Sequence, residues 1–150
     1  MNDDLDYDSA GLDLTIASEG MRLTAYPDPG TGAEPWTIGV GHTGPDVYEG
    51  RVITPEEGHQ LLHDDVRDAV QAVKECVTVP LTQGEFDALV DFTFNCGAGN
   101  LRHSTLLRLL NTGDYDGASA HFKDWVKAGG RVLPGLVTRR ENEERIFNAD

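Results

Sequence analysis

Two carboxylates and a hydroxyl follow one another closely in the first quarter of the chain. Glu19 and Asp28 are nine positions apart, and Thr37 opens the glycine-rich run Thr37-Ile-Gly-Val-Gly-His-Thr43. Two carboxyl groups can protonate a leaving oxygen and activate a water molecule, and a nearby hydroxyl can hold that water. The hydrolysis of a glycosidic bond requires these groups, so Glu19, Asp28 and Thr37 are the catalytic candidates.

Glu19 is predicted to lie in the last turn of a short helix. Residues 9–19 have apolar side chains at helical spacing, Asp8 or Ser9 can cap the start, and Gly20 is a natural stop. The backbone carbonyls of a last turn disfavour an anion, which suits a general acid that must keep its proton. Without its neighbours, Glu19 would be interpreted as an ordinary solvated helix residue.

Asp28 and Thr37 are predicted to flank one β-hairpin. Prolines on both sides keep Asp28 out of a helix, the glycines that follow turn the chain, and residues 36–41 have the character of a returning strand. Taken alone, Asp28 would be a turn residue and Thr37 a strand residue.

The rest of the chain is predicted to be mainly helical. Capping boxes at Thr54-Pro-Glu-Glu57 and Thr82-Gln-Gly-Glu85 begin a long helix to about Cys76 and a second helix that Gly97-Ala-Gly99 ends. Further helices are expected near residues 104–110, 116–126 and 136–147.

This pattern predicts a single α+β domain over residues 1–150. Its expected parts are an acidic, flexible segment at 1–8, a small lobe with a β-hairpin sheet at 9–53, a connecting helix at 54–76 and a larger helical lobe at 77–150. A cleft between two such lobes is the expected place for a polymer to bind.

Composition excludes several classes of protein. A chain of 150 residues is long enough for one domain with a core, and no apolar run reaches membrane-spanning length. The net charge of −14 argues against a nucleic-acid partner. The acidic N-terminus has no signal-peptide pattern, so we expect a cytoplasmic chain in which Cys76 and Cys96 are free, buried thiols.

The charge is unevenly distributed. Residues 102–140 contain seven bases and three acids, whereas the chain as a whole is acidic. The bases are Arg102, Arg108, Lys123, Lys127, Arg131, Arg139 and Arg140. This stretch fits either an ordinary solvated helical surface or a basic lip that holds an anionic polymer.

Three other features are given structural or solvent-exposed roles. Gly39-Val-Gly-His-Thr-Gly44 matches a dinucleotide pattern, but no helix is predicted to open at its third glycine. His59 and His63 have the spacing of metal ligands but lack a third ligand, so we expect no metal and no organic cofactor. His42 is expected to be structural, paired with an acid from the second lobe.

The ordered motifs resemble the phage lysozymes of glycoside hydrolase family 24. The similarity begins with Glu19-Gly-Met-Arg-Leu-Thr-Ala-Tyr-Pro-Asp28 and Trp36-Thr-Ile-Gly-Val-Gly-His-Thr43. It continues with Phe94-Asn-Cys-Gly-Ala-Gly99, Ser104-Thr-Leu-Leu-Arg-Leu-Leu-Asn111 and Ala128-Gly-Gly-Arg-Val-Leu-Pro-Gly-Leu-Val-Thr-Arg-Arg140, and it extends from about residue 10 to residue 147. The turn between Asp28 and Thr37 is longer than in the shortest members, and we expect no apolar N-terminal anchor of the kind that many relatives use for export.

The resemblance implies a lysozyme-like fold and a set of residue roles. Glu19 would be the general acid, and Asp28 and Thr37 would hold and activate the attacking water. Asn95, Ser104 and Thr105 lie where the family contacts sugars, although Ser104 fits a helix cap equally well. Either Arg139 or Arg140 could reach Glu19 or substrate.

The implied activity is cleavage, with inversion, of the β-1,4 bond between N-acetylmuramic acid and N-acetylglucosamine. The expected protein is a monomeric phage endolysin that stays in the host cytoplasm until a holin gives it access to the wall, with no membrane insertion. Two alternatives remain at this point. One is a non-catalytic wall-binding or virion structural module on the same fold, and the other is a chitinase-like hydrolase.

Overall fold

The computed structural model of the chain describes residues 1–149. Helices and small antiparallel sheets are combined as in the predicted α+β class. Residues 15–67 form one unit, and residues 1–14 together with those from 68 onward form the other. We refer to them as the sheet unit and the helical unit.

The elements follow one another in this order. The sheet unit contains the end of α1 (Ser9–Glu19), then β1 (Arg22–Tyr26), β2 (Thr37–Gly39), β3 (His42–Thr43) and α2 (Pro55–Asp65). The helical unit contains the start of α1 and, apart from its first residue, α3 (Arg67–Cys76). It continues with α4 (Gln83–Cys96), α5 (Ala98–His103), α6 (Thr105–Asn111), α7 (Tyr115–Ser119), a 3-10 turn (Phe122–Asp124), β4 (Lys127–Ala128), β5 (Arg131–Val132) and α8 (Pro134–Phe147).

The predicted hairpin is confirmed in the sheet unit. Strands β1, β2 and β3 form an antiparallel sheet in that order, and Tyr26 lies opposite Thr37. Ile38 turns its side chain to the other face of β2, where it is fully buried with Val47 and Ile53. The alternation of the strand therefore leaves Thr37 on the face away from this core.

The predicted helix ends are confirmed where a side chain or a glycine fixes them. Asp8 Oδ1 accepts the Gly11 N–H at 3.0 Å and caps α1, which ends where Gly20 adopts a φ of +77°. Both capping boxes are formed, with Thr54 and Thr82 each accepting the backbone N–H of the glutamate three residues on.

The single connecting helix predicted for residues 54–76 is wrong. Helix α2 ends at Asp65, and Val66 has a ψ of −4° with its N–H directed to the carbonyls of Leu62 and Asp64. This tightened turn interrupts the regular ladder before α3 begins at Arg67.

Three other segments differ from the expectations. Residues 98–103 form α5, and the helix predicted at 116–126 is replaced by α7 and the 3-10 turn. Residues 127–132 form a hairpin whose two-residue turn is Gly129-Gly130, with φ values of +59° and +79°. A turn with two positive φ values suits glycine and the twist of paired strands.

The acidic segment 1–8, predicted to be flexible, is instead docked on the helical unit. Asn2 Nδ2 donates to the carbonyl of Val79, and Asn2 Oδ1 accepts the N–H of Leu81, both at 3.0 Å. The Tyr7 ring is buried against Gly11, where any added Cβ would collide with it. The side chains of Asn2, Tyr7 and Asp8 therefore hold this segment in a defined conformation.

The state of the two cysteines and the apolar character of the helices bear on two further sequence predictions. Cys76 and Cys96 are unpaired, as predicted, but they are half-buried rather than buried. Within residues 1–149, no helix has the length and apolar character needed to cross a bilayer.

Candidate active site

Glu19 is the last residue of α1, and its side chain is exposed. Its Oε2 atom lies beside the turn between β2 and β3, because a Cβ added at Gly41 would be 3.9 Å from it. Gly41 has a φ of +72° and no side chain, which leaves this approach open. The carboxyl group therefore reaches from the helix end to the strand turn that follows Thr37.

Asp28 is half-buried at the start of the hairpin loop and is held from several sides. Its Oδ1 accepts the Gly30 N–H at 2.7 Å, and its backbone bonds to Gly32 at 2.8 Å and to Ala33 at 2.9 Å. Among the described residues, no hydrogen bond reaches Oδ2. One carboxylate oxygen thus fixes the group, and the other is available for a ligand.

Thr37 is the first residue of β2 and is half-buried. Its backbone lies opposite Tyr26 on one side and Thr43 on the other. Within residues 1–149 its hydroxyl makes no side-chain hydrogen bond, so the hydroxyl is chemically able to hold a water molecule. Tyr26, the last residue of β1, pairs with Thr37, the first residue of β2. Asp28 follows two residues after Tyr26, so its backbone lies near the start of β2.

His42 fixes the loop that follows the sheet. Its Nδ1 lies 2.7 Å from Asp65 Oδ2, and its Nε2 lies 3.0 Å from Asp46 Oδ2, which Arg51 also contacts at 3.1 Å. Burial lowers the pKa of His42, but the hydrogen bonds and charges of Asp65 and Asp46 outweigh it and leave the pKa raised. The structural role of His42 stays a prediction, and the expectation that its acid comes from the second lobe is wrong. The two acids belong to α2 and to the loop after β3.

Asn95 lies at the end of α4, at the edge of a pocket of ≈ 340 Å³ in the helical unit. Its Oδ1 accepts a hydrogen bond from Arg140 Nη2 at 2.9 Å, so its amide NH₂ is left to donate. The pocket is lined by Asn95, Cys96, Asn100, Trp125, Lys127, Ala128 and Leu136. Lys127 belongs to the basic stretch noted in the sequence, whereas Asn100 is a polar residue at this pocket that sequence reasoning did not single out.

Arg139 and Arg140 are almost completely buried and are paired within the helical unit. Arg139 makes a bidentate contact with Asp91 at 2.8 and 3.0 Å, and Arg140 Nη2 donates to Glu143 at 2.9 Å. Burial, and then Asp91, raise the pKa of Glu143 well above its ordinary value. This placement favours a packing role, and direct substrate contact by either arginine stays a prediction.

Ser104 and Thr105 differ in what they can offer a ligand. Ser104 is buried, donates to the Leu101 carbonyl at 2.7 Å and accepts the Leu107 N–H at 3.0 Å. It therefore caps α6, the alternative that the sequence left open. Thr105 is half-buried at the first position of α6, and its contact with sugar stays a prediction.

No metal site is formed by the described part of the chain. No group of three or more His, Cys, Asp or Glu side chains within residues 1–149 is placed to hold an ion. His63 instead lies 3.8 Å from the carboxylate of Asp64, beside it on α2.

Comparison with solved structures defines the class of fold. A P22 lysozyme mutant superposes with a TM-score of 0.86 at 35% identity, covering 95% of this chain and 98% of that one. The muramidase domain of SpmX from Asticaccaulis excentricus gives 0.85 at 36% identity, covering 96% and 98%. The fold is therefore that of the lysozymes.

Comparison with known sequences gives the family. Residues 16–143 match the family model described as phage lysozyme, and the chain belongs to that family. The endolysin of Salmonella phage P22 is 39% identical over 143 residues, covering 93% of this chain and 95% of that protein. The endolysin of Bacillus phage B103 is 43% identical over 143 residues, covering 95% of this chain. The chain spans only 54% of that endolysin and of the endolysin of Bacillus phage PZA.

Proposed function

We propose that the chain is an N-acetylmuramidase that hydrolyses the β-1,4 bond between N-acetylmuramic acid and N-acetylglucosamine in peptidoglycan. Glu19 protonates the leaving glycosidic oxygen. Asp28 and Thr37 orient and activate a water molecule for attack at the anomeric carbon, with inversion as the expected stereochemical outcome.

The observation that best supports this proposal is the arrangement of three consecutive elements in the sheet unit. Glu19 ends α1 and approaches Gly41, whereas Asp28 and Thr37 lie at the loop end of the β1–β2 hairpin. Asp28 keeps Oδ2 available while Gly30 holds Oδ1, and Thr37 has a hydroxyl available. A binding module would have no need of all three groups together.

In the helical unit, we propose that the Asn95 amide and the Thr105 hydroxyl contact sugar substituents. Arg140 acts through Asn95, because its bond to Oδ1 fixes the orientation of the amide. Trp125 and Lys127 line the same pocket and are further candidates for contact with the glycan.

The test compares Glu19→Gln with the matched control Glu56→Gln, which neutralises an exposed acid of α2. Loss of a required general acid should reduce wall lysis on the order of a hundredfold or more, with thermal unfolding unchanged. Lysis by Glu19→Gln within a few-fold of wild type would remove Glu19 from the mechanism.

Mass spectrometry of the released fragments identifies the bond that is cut. New reducing ends on N-acetylmuramic acid support the proposal, and reducing ends on N-acetylglucosamine contradict it. Sugar release from chitin with intact bacterial walls would indicate the chitinase-like alternative. The absence of any fragment would indicate the non-catalytic wall-binding or virion structural module.

We further propose that the protein is an endolysin held in the host cytoplasm until a holin admits it to the wall. The endolysin relatives support this role. Relatives at 38–40% identity are also named SAR-endolysin, so the route to the wall requires its own test. Expression in a host with and without a holin decides it, because lysis without the holin contradicts holin dependence.

A further inference from the structure

We infer that a groove in the sheet unit binds a primary ammonium group on a peptide side chain, a second recognition site that the proposed bond cleavage does not use. The groove has a volume of ≈ 880 Å³ and is lined by residues 34–36, 43–45 and 47–49. Only the source of the amine, the free amino groups of wall peptides, rests on the proposed function.

The chemistry of the lining fits a cation. Trp36 and Tyr48 provide aromatic faces, and Glu34 and Glu49 provide exposed carboxylates. An ammonium group is attracted to aromatic faces and makes charge-assisted hydrogen bonds to carboxylates. No lysine or arginine lines the groove. The carboxylates of an anionic polymer would therefore be repelled there, and its ammonium groups attracted.

The two bases nearest in the chain are already bound elsewhere. His42 and Arg51 both contact the carboxylate of Asp46, at 3.0 and 3.1 Å. Their charges are thus directed to Asp46 rather than to Glu34 or Glu49. The negative character of the groove is preserved although two basic side chains lie close to it in sequence.

The segment that lines one side of the groove is also held in place by contacts within the protein. The Val47 N–H donates to the Gly44 carbonyl at 3.0 Å, and the Val47 side chain is buried in the core with Ile38. The Arg51 N–H donates to the Tyr48 carbonyl at 3.1 Å, while the Tyr48 side chain remains 61% exposed. A recognition surface that is fixed in advance loses less entropy when it binds.

The groove does not coincide with the proposed catalytic groups. Trp36 packs against the cluster that contains Ile38, and Ile38 and Thr37 point to opposite faces of β2. Glu19, Asp28 and Thr37 do not line the groove. The groove therefore excludes the three proposed catalytic side chains, although Thr43, which pairs with Thr37, lies at its edge.

The test titrates Nα-acetyl-lysine amide, which carries one primary ammonium group, into ¹⁵N-labelled protein. We expect saturable shifts of the Trp36 indole N–H and of the Tyr48 and Glu49 amides. The probe acetylated on its side-chain nitrogen should cause none. Absence of saturable shifts, or equal shifts with the acetylated probe, would overturn the inference. Shifts at these residues from N-acetylglucosamine alone would assign the groove to sugar and overturn it as well.

The variant Glu34→Gln/Glu49→Gln tests the carboxylates. Binding of the probe should weaken on the order of tenfold, since charge-assisted hydrogen bonds are lost. The Glu34 backbone carbonyl, which accepts the Thr31 hydroxyl, is unaffected by the change. Glu56→Gln/Glu141→Gln removes the same charge from exposed positions outside the groove and should bind as wild type does. Equal binding by the two double variants would overturn the inference.

A second arm separates this inference from the proposed cleavage. Acetylation of wall amines should raise the wall concentration that gives half-maximal lysis by wild type. For Glu34→Gln/Glu49→Gln this concentration should already be raised, and acetylation should not raise it further. Additive effects of acetylation and substitution would show that wall amines bind outside the groove. That result would overturn the inference that wall peptides supply the ammonium group. If walls are not cleaved at all, the proposed function is contradicted. The titration then still tests whether the groove binds an ammonium group.

Discussion

At Thr37, the choice is between a strand former and a catalytic group. β-Branched residues favour strands whether or not they carry a hydroxyl, so backbone pairing with Tyr26 and Thr43 does not distinguish the two roles. The half-buried hydroxyl, which has no side-chain partner among residues 1–149, favours the catalytic role.

Substitution of Thr37 separates the roles. Thr37→Ser keeps the oxygen and should retain lysis within a few-fold, whereas Thr37→Val keeps the strand shape and should lose on the order of a hundredfold. Turbidity assays on bacterial walls measure both variants. Equal activity of the two would show that Thr37 serves only the strand.

Asp87 is a second residue whose chemistry depends on its surroundings. It is 2% exposed in α4, and burial together with a hydrogen bond to Asp8 raises its pKa to about 8. The same hydrogen bond lowers the pKa of Asp8. At neutral pH, Asp87 therefore keeps its proton, and Asp8 is the acceptor.

The pH dependence of stability follows from this shift. The folded state holds the Asp87 proton more tightly than the unfolded chain does, so the stability present below about pH 4 is lost progressively up to about pH 8. Asp87→Asn cannot ionise, and its amide can still donate to Asp8. Relative to wild type it should gain a few kcal/mol between pH 5 and 8, since one pKa unit corresponds to about 1.4 kcal/mol. Urea unfolding measures this gain, with Asp116→Asn as the exposed control. A pH-independent difference would contradict the prediction.

At the scale of elements, α4 and α8 are joined by charges as well as by apolar packing. Asp91 and Glu143 are fully buried, and Arg139 and Arg140 nearly so. Arg140 Nε lies 2.7 Å from Glu143 Oε1, but the two atoms are not aligned for a hydrogen bond. Such a network is costly to break from one side, because a buried charge is left without its partner.

Arg139→Met should therefore destabilise the fold by about 3–5 kcal/mol, because Asp91 loses its bidentate partner. Arg139→Met/Asp91→Leu removes both charges and should recover much of that loss. Urea unfolding of both variants gives the comparison. A double variant no more stable than the single one would show that the ion pair itself is a major source of stability.

The elements also show which predictions the sequence supports. Asp8, Gly20, Thr54 and Thr82 fix helix ends through contacts within a few residues, and these ends were predicted correctly. The docking of Asn2 depends on Val79 and Leu81, which are distant in the chain, so the sequence pattern does not reveal it. The break at Val66 is local, but no glycine or proline marks it in the sequence. For the candidate site the same limit applies. The spacing of Glu19, Asp28 and Thr37 identified them as catalytic candidates. The burial of Arg139 and Arg140 against α4 could not be predicted from the sequence and is seen only in the structure.

At the scale of the whole molecule, charge is the dominant property. The chain carries a net charge of −14, and two of the seven bases within residues 102–140 are buried in ion pairs. The exposed positive charge of that stretch is therefore smaller than its composition indicates. Lys123, Lys127 and Arg131 remain exposed, and Lys127 lies at the pocket that contains Asn95.

Approach to an anionic wall should thus be opposed by the mean field. Salt screens that field over a Debye length of about 10 Å at 0.1 M, so modest salt should raise lysis or leave it unchanged. Lys123→Gln/Lys127→Gln/Arg131→Gln should weaken engagement and make the salt response more positive. Lysis rates from low to moderate ionic strength measure this response. A steep loss of wild-type activity would mean that local basic contacts dominate the net field.

The division of the chain into two units has a consequence for biosynthesis. Residues 15–67 are contiguous, so the ribosome completes the sheet unit before most of the helical unit exists. Asn2 and Asp8 have hydrogen-bond partners in the segment 79–87, and α4 packs against α8, so these contacts form only after the later segments have been synthesised. During synthesis the nascent chain should therefore contain a folded sheet unit while the helical unit is still incomplete. Residues 1–8 should remain accessible to proteases and chaperones at that stage.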